Sequence, residues 1–176
     1  MARALELPYD ATTGCADRLP WFERIRALGW AVYLDSGDRA RTGGRYDVLA
    51  AAPRAMFVSR GGEIRLERGG EVSRWRGSAF DGLKALAAPA RGGEAGWPVA
   101  GGALGYFGYE LGREGAKLPG AKAGTVPFMP EAAFGLYPWT VVVDHKLRRA
   151  GLTSLEDFPE DEALRIRERL LAGEPP

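Results

Sequence analysis

Residues 56–75 read MFVSRGGEIRLERGGEVSRW, and this stretch decides the fold class. Two glycine pairs, Gly61-Gly62 and Gly69-Gly70, cut it into three short segments at 56–59, 63–67 and 71–75. In the middle segment Ile64 and Leu66 fall on one face, the two-residue period of a strand. Strands so close in sequence pair antiparallel, because a parallel pair needs a crossover of about a dozen residues. Upstream, Trp30, Val32 and Leu34 point one way and Ala31, Tyr33 and Asp35 the other until Gly37, and Tyr46, Val48 and Ala50 lead to Pro53. The segment ending at Pro53 and the three that follow it read as one antiparallel meander.

Helices frame these strands. Asp17 or Leu19 opens a short one with Pro20 in its first turn, Trp21, Ile25 and Leu28 at helical spacing, and Gly29 as the stop. Ser78 with Asp81 three residues on signals a second helix, with Phe80, Leu83 and Leu86 or Ala87 apolar, ending before Pro89. After a Gly-rich loop at 91–96 the pattern repeats, with extended segments at 99–111, 133–143 and 148–153. A turn around 144–146 joins the last two. A closing helix carries Glu160, Asp161 and Glu162 early, then Arg165, Arg167 and Arg169, matching the helix dipole at both ends. The class is α+β, antiparallel sheets with helices, arranged as two helix-plus-strands units at 19–76 and 78–154.

The chain has 176 residues, 45% hydrophobic and 27% charged, which is ordinary globular usage. A chain of this length buries roughly 70% of its extended surface, enough for a core without staples. Lys plus Arg (24) against Asp plus Glu (23) leaves a net charge of +1, which offers no global field for nucleic acid or an anionic membrane. No apolar run approaches the roughly 20 residues that span a bilayer. The opening MARALELPYDATTG lacks the apolar segment of a secretory signal, so the cytoplasm is the expected compartment. Cys15 is alone, so no disulfide forms within the chain.

No complete catalytic set is visible. The stretch at 101–112, GGALGYFGYELG, is neither GxGxxG nor a P-loop. Its glycines are expected to permit close backbone approach or a bulge while Tyr106, Phe107 and Tyr109 pack on the sheet. His145 and Cys15 are each the only residue of their kind, no carboxylate cluster has metal-ligand spacing, and Asp144-His145 reads as a hairpin tip. Asp35-Ser36 reads as an ordinary turn, and Arg45, Tyr46 and Asp47 as the exposed start of a strand. From residue chemistry alone, the chain is a soluble α+β domain.

Three segments in order, WAVYLDSGDRARTGGRYDVLAAAP (30–53), GGALGYFGYELGR (101–113) and PEAAFGLYPWTVVVDH (130–145), resemble the N-terminal region of chorismate-utilising synthases. The resemblance is to component I of aminodeoxychorismate synthase in the para-aminobenzoate branch of folate biosynthesis, and more distantly to component I of anthranilate synthase. It spans about 21–154.

That resemblance implies half of a four-layer α/β/β/α synthase fold. Residues 1–16 would be a lead-in, 17–173 the synthase-like domain, and 174–176 a linker towards an absent chorismate-binding C-terminal domain. The complete enzyme would convert chorismate and ammonia to 4-amino-4-deoxychorismate, with the ammonia delivered by a glutamine amidotransferase subunit (component II) and Mg2+ holding the substrate carboxylate. This segment would bring no catalytic residue, metal ligand or cofactor and would be inactive alone. Phe107, Leu136 and Trp139 would lie on a face left open towards the partner half. The resemblance also implies half of an L-tryptophan pocket. Leu34, Asp35 and Ser36 match the Leu-Glu-Ser strand-end motif of anthranilate synthase, with Arg45, Tyr46 and Asp47 on the next segment. Asp35 stands where that motif has Glu and is one methylene shorter, so feedback inhibition as in anthranilate synthase is not assumed. An indole needs apolar contact, which Leu34 and Tyr46 could give, and an amino group needs an acceptor such as a carbonyl, Ser36 or Asp35. Two other readings remain: the same region of anthranilate synthase component I, and a stand-alone amino-acid-binding or interaction module.

Overall fold

The computed structural model describes residues 3–9, 18–37, 44–87, 96–109, 111–112 and 129–172. Cys15, Asp17, Pro89, Glu110, Arg113, Gly173, the loop residues 91–95 and the linker 174–176 lie outside them. The strands are β1 (Arg3–Leu7), β2 (Val32–Leu34), β3 (Tyr46–Ala50), β4 (Ala55–Arg60), β5 (Glu63–Arg68), β6 (Glu71–Arg76), β7 (Gly102–Phe107), β8 (Ala132–Tyr137), β9 (Trp139–Asp144) and β10 (Arg149–Ser154). Helices α1 (Arg18–Arg26), α2 (Ala79–Ala87) and α3 (Glu160–Leu171) complete the described elements.

Two sheets form, in the orders β1-β10-β9-β3-β2 and β6-β5-β4-β8-β7. The α+β class with antiparallel sheets is the one expected. The chain divides into two compact units, but their boundaries differ from 19–76 and 78–154. The first takes Met1–Pro53, Ala90–Gly102 and Tyr137–Pro176, and the second Arg54–Pro89 with Ala103–Leu136. The chain switches sheets at two prolines. Residues 133–143, expected as one extended segment, are two strands split at Pro138, with β8 in one sheet and β9 in the other. Proline has no N–H for the ladder, so a strand stops there. Pro53 likewise separates β3 from β4, and the expected four-strand meander reduces to β4-β5-β6. Inside that meander the glycine pairs act as foreseen: Arg60 faces Glu63 and Arg68 faces Glu71, leaving two-residue turns. Gly61 and Gly62 have φ of 57° and 73°, Gly69 and Gly70 of 58° and 84°, the left-handed values that such turns demand at both positions.

In the first unit, Arg3–Leu7 forms an edge strand on β10 within the stretch read as a lead-in. One face of this sheet carries Leu7, Leu49, Val141, Val143, Ala150 and Leu152, packed with Trp21 and Ile25 of α1 and Ala163 and Leu170 of α3. Arg24 donates to the Leu170 carbonyl and Arg169 to the Arg24 carbonyl, which ties the two helices together. On the opposite face Thr140 and Thr153 share a hydrogen bond of 2.9 Å, and the 97–101 segment lies over them through Thr153 to the Val99 carbonyl and the Gly101 amide to Thr140.

In the second unit α2 covers Phe57, Ile64 and Leu136. Its N-terminus is a reciprocal cap. Ser78 Oγ donates to Asp81 Oδ2 at 2.9 Å, and the Asp81 amide donates back to Ser78 Oγ. The Gly-rich strand behaves largely as expected. A side chain at Gly105 would collide with the Ala133 carbonyl, so β7 and β8 approach more closely than any other residue allows. The Phe107 ring packs at a tilt against Phe134 at 4.7 Å and Phe80 at 5.1 Å, whereas Tyr109 is 89% exposed. Leu136 and Trp139, expected on an open face, are buried; only Phe107 of that trio is exposed. No helix of the described residues is long and apolar enough to cross a membrane.

Candidate functional site

Antiparallel order gathers the expected site residues at one end of the first sheet. Leu34 closes β2 opposite Val48, and Tyr46 opens β3 opposite Asp144, the last residue of β9. Three chain segments, 34–37, 44–47 and 144–147, therefore meet there. Paired residues share a face, so Leu34, Val48 and Tyr46 lie on one side of the β2-β3 edge. Leu34 is exposed and the other two half-buried, which makes an open apolar strip.

Beside the strip lies a polar cluster. Asp47 points to the opposite, helix-covered face and is fully buried, which overturns the expectation of an exposed strand start. A buried carboxylate must be supplied with donors. Asp47 Oδ1 accepts from the Ser36 amide at 3.0 Å and the Ser36 hydroxyl at 2.8 Å, while Oδ2 lies 2.8 Å from His145 Nε2. His145 is thus more than a hairpin tip: its side chain is 4% exposed, folded under the turn that follows β9. Its Nδ1 makes a long contact of 3.5 Å with the Tyr9 hydroxyl, and its amide donates to the Arg45 carbonyl. Asp35 accepts the Gly37 amide at 2.8 Å in a local turn.

Arg45 binds Asp144 by two hydrogen bonds, Nε to Oδ1 at 3.0 Å and Nη2 to Oδ2 at 2.9 Å, and lies 4.6 Å over the Tyr46 ring. Burial pushes the Asp144 carboxyl up, but the Arg45 hydrogen bond, the amides of Leu147 and Lys146 and the Arg45 charge outweigh it and hold the group below its ordinary value. Arg45 is raised in turn, first by its hydrogen bond to Asp144.

Leu34, Ser36, Arg45, Tyr46 and Asp47 thus come together, with Asp35 at the rim. Tyr9, Asp144 and His145 were not foreseen. An Asp-His pair at the end of the all-apolar run VVV was the available signal, since such a strand is buried on both faces. Among the described residues no group of three or more His, Cys, Asp or Glu side chains could hold a metal ion. A hollow of about 330 Å³ lies apart from this cluster on the second sheet, lined by Val58, Arg60, Glu63, Arg65 and Arg74.

No family model matches the chain. Against curated proteins it is 35% identical over 155 residues to aminodeoxychorismate synthase component 1 of Klebsiella aerogenes, covering 79% of this chain. The chain is similar to aminodeoxychorismate synthase component 1. The Salmonella typhimurium and Escherichia coli proteins of that name are 32% and 30% identical over 79% and 78% of the chain. The chain spans about a third of the length of these relatives, 33% for the first two and 31% for the third. Its fold is shared with a crystal structure of anthranilate synthase component I from Streptococcus pneumoniae, at TM-score 0.54 and 20% identity over 95% of this chain and 36% of that one. The resemblance to aminodeoxychorismate synthase component 1 read from the three sequence segments is therefore present across most of the chain.

Proposed function

We propose that this chain is the N-terminal, non-catalytic part of an aminodeoxychorismate synthase component I. The complete protein converts chorismate and ammonia to 4-amino-4-deoxychorismate in the cytoplasm, for para-aminobenzoate and folate biosynthesis. A chorismate-binding part performs the chemistry and holds Mg2+ on the substrate carboxylate, and an amidotransferase subunit delivers the ammonia. The role of this chain is to frame that part and to supply half of an L-tryptophan pocket. The observation that carries the reading is the open strip of Leu34, Val48 and Tyr46 beside Ser36, with 30–35% identity to synthases of which the chain covers about a third. Indole would lie on the strip, and the amino group would meet Ser36.

Two assays test this. Joined to a chorismate-binding part of a relative and given chorismate, ammonium and Mg2+, the chain should support formation of 4-amino-4-deoxychorismate and should form none alone. Product from the isolated chain would sink the non-catalytic assignment. Anthranilate as the product would instead favour the second reading, component I of anthranilate synthase, which the shared fold keeps in view.

A further inference from the structure

Strand β5 runs between β4 and β6, and its other charged residues meet opposite charges or apolar side chains. Glu63 faces Arg60 and Arg76, Glu67 faces Met56 and Val72, and Arg68 faces Ala55 and Glu71. Arg65 breaks the pattern: it faces Val58 on β4 and Arg74 on β6. Like charges set directly opposite each other destabilise a sheet. Paired residues of an antiparallel sheet share a face, so the two arginines lie on the side of Val58, and α2 packs on the other side against Phe57 and Ile64. Beyond Val58 the same row continues to Ala133 of β8. Here the hollow of about 330 Å³ opens, with Val58, Arg65 and Arg74 in its wall. Its volume stands at the low end for small-ligand pockets. Arg65 is held in place, since Nη2 donates to Glu67 Oε2 at 2.8 Å, yet its side chain is 42% exposed. Arg74 is exposed.

Volume and charge together define an occupant. Two guanidiniums on one rung are relieved by an anion between them, and the fork of an arginine matches a carboxylate. Glu63, also in the wall, is flanked by Arg60 and Arg76 on its own rung and leaves the excess positive charge in place. Val58 and Ala133, both half-buried, offer carbon surface beside the charges. We propose that this hollow binds a small carboxylate with an apolar body, the carboxylate held between Arg65 and Arg74 and the body resting on Val58. The site belongs to the second unit alone and is independent of the amino-acid reading of the first, so neither falls with the other.

The test adds cyclohexanecarboxylate to the isotopically labelled 176-residue chain at low salt and follows amide chemical shifts. Shifts should centre on Val58, Arg65 and Arg74, with affinity about tenfold above that of the neutral cyclohexanecarboxamide, the scale of one charge-assisted hydrogen bond. Acetate, which lacks the body, should bind more weakly. Arg74→Gln should lose the tenfold while binding the carboxamide unchanged. Arg74→Glu puts a carboxylate on the rung and should bind no added one. Both variants remove a repulsion, so both should melt no lower than the wild type, and lost folding then does not imitate lost binding. Undiminished cyclohexanecarboxylate binding in Arg74→Gln, or equal affinity for the carboxamide in the wild type, would overturn the inference. A lower melting temperature in Arg74→Gln would remove the repulsion on which it stands. Acetate binding as tightly as cyclohexanecarboxylate would mean an adventitious ion only. Tighter binding of acetyl-Leu-Glu-Leu-amide than of cyclohexanecarboxylate would assign the arginines to an acidic polypeptide, against a small-molecule site.

Discussion

Arg45 and Asp144, 99 positions apart, are joined by two hydrogen bonds of 3.0 and 2.9 Å, with the carboxylate fully buried and the guanidinium side chain 38% exposed. The pair pins the start of β3 to the end of β9 and thereby sets the distance between Asp47 and His145. Asp144 also caps its own turn by accepting the Lys146 and Leu147 amides at 3.1 Å each.

Acid should loosen this end of the sheet. The Asp144 carboxyl is held below its ordinary value in the fold. Its contribution is therefore complete above the unfolded value of about 3.9 and is lost as pH falls through the folded one. Melting temperatures between pH 7 and pH 3 should drop more steeply for the wild type than for Asp144→Asn, which starts lower at pH 7. Parallel curves would show that the pair does not govern acid stability.

Gly44 is needed for the same cluster. A Cβ there would lie 2.5 Å from the Ser36 carbonyl oxygen and 2.7 Å from its Cβ. Gly44→Ala must therefore push the 34–37 segment away from β3 and stretch the bonds to Asp47. The expected outcome is a loss of about 1–3 kcal/mol in urea unfolding, the range for overpacking, with amide shifts centred on Ser36 and Asp47. A spectrum unchanged at those two amides would contradict the close approach.

Helix α2 presents Gly82 to the core, where two effects oppose each other. Alanine would gain about 1 kcal/mol in helix propensity. Its Cβ, however, would sit 2.9 Å from two ring carbons of Phe57 and 3.2 Å from Ile64 Cγ2. Phe57 is fully buried and stacked on Phe134 at 5.6 Å, so the ring has no room to retreat. Overpacking of about 1–3 kcal/mol should win, and Gly82→Ala should lower the unfolding midpoint. A stabilised variant would mean that the helix can slide.

Tyr137 donates to the Trp30 carbonyl at 2.6 Å, holding a residue whose φ is 46°. Burial pushes its phenol up to about 12. The unfolded phenol ionises near 10, so this contribution is full below that value and is lost as pH rises towards 12. Tyr137→Phe should cost about 1 kcal/mol at neutral pH and should flatten the alkaline decline in stability. Circular dichroism through pH 9–12 measures both, and an alkaline transition identical in the two proteins would refute the assignment.

By itself the sequence determined the local structure. The Ile64/Leu66 alternation, the paired glycines of two tight turns, the Ser78-Asp81 cap and the charge gradient of α3 are each written within a few residues, because turns, caps and two-residue periods depend on neighbours along the chain. The same locality made the segments of the synthase resemblance recognisable and drew attention to Leu34–Ser36 and Arg45–Asp47. Only the tertiary structure decided which strands share a sheet. Pro138 divides what reads as one extended segment, Pro53 parts strands that read as one meander, and pairing between distant strands rests on burial summed over many residues. It also decided that Asp47 is buried and that His145, 98 positions away, is its partner. A contact of that range has no local signature. The sidedness of β3 and the register of β3 on β9 place the two side chains together, and the exclusion of water then makes their hydrogen bond obligatory.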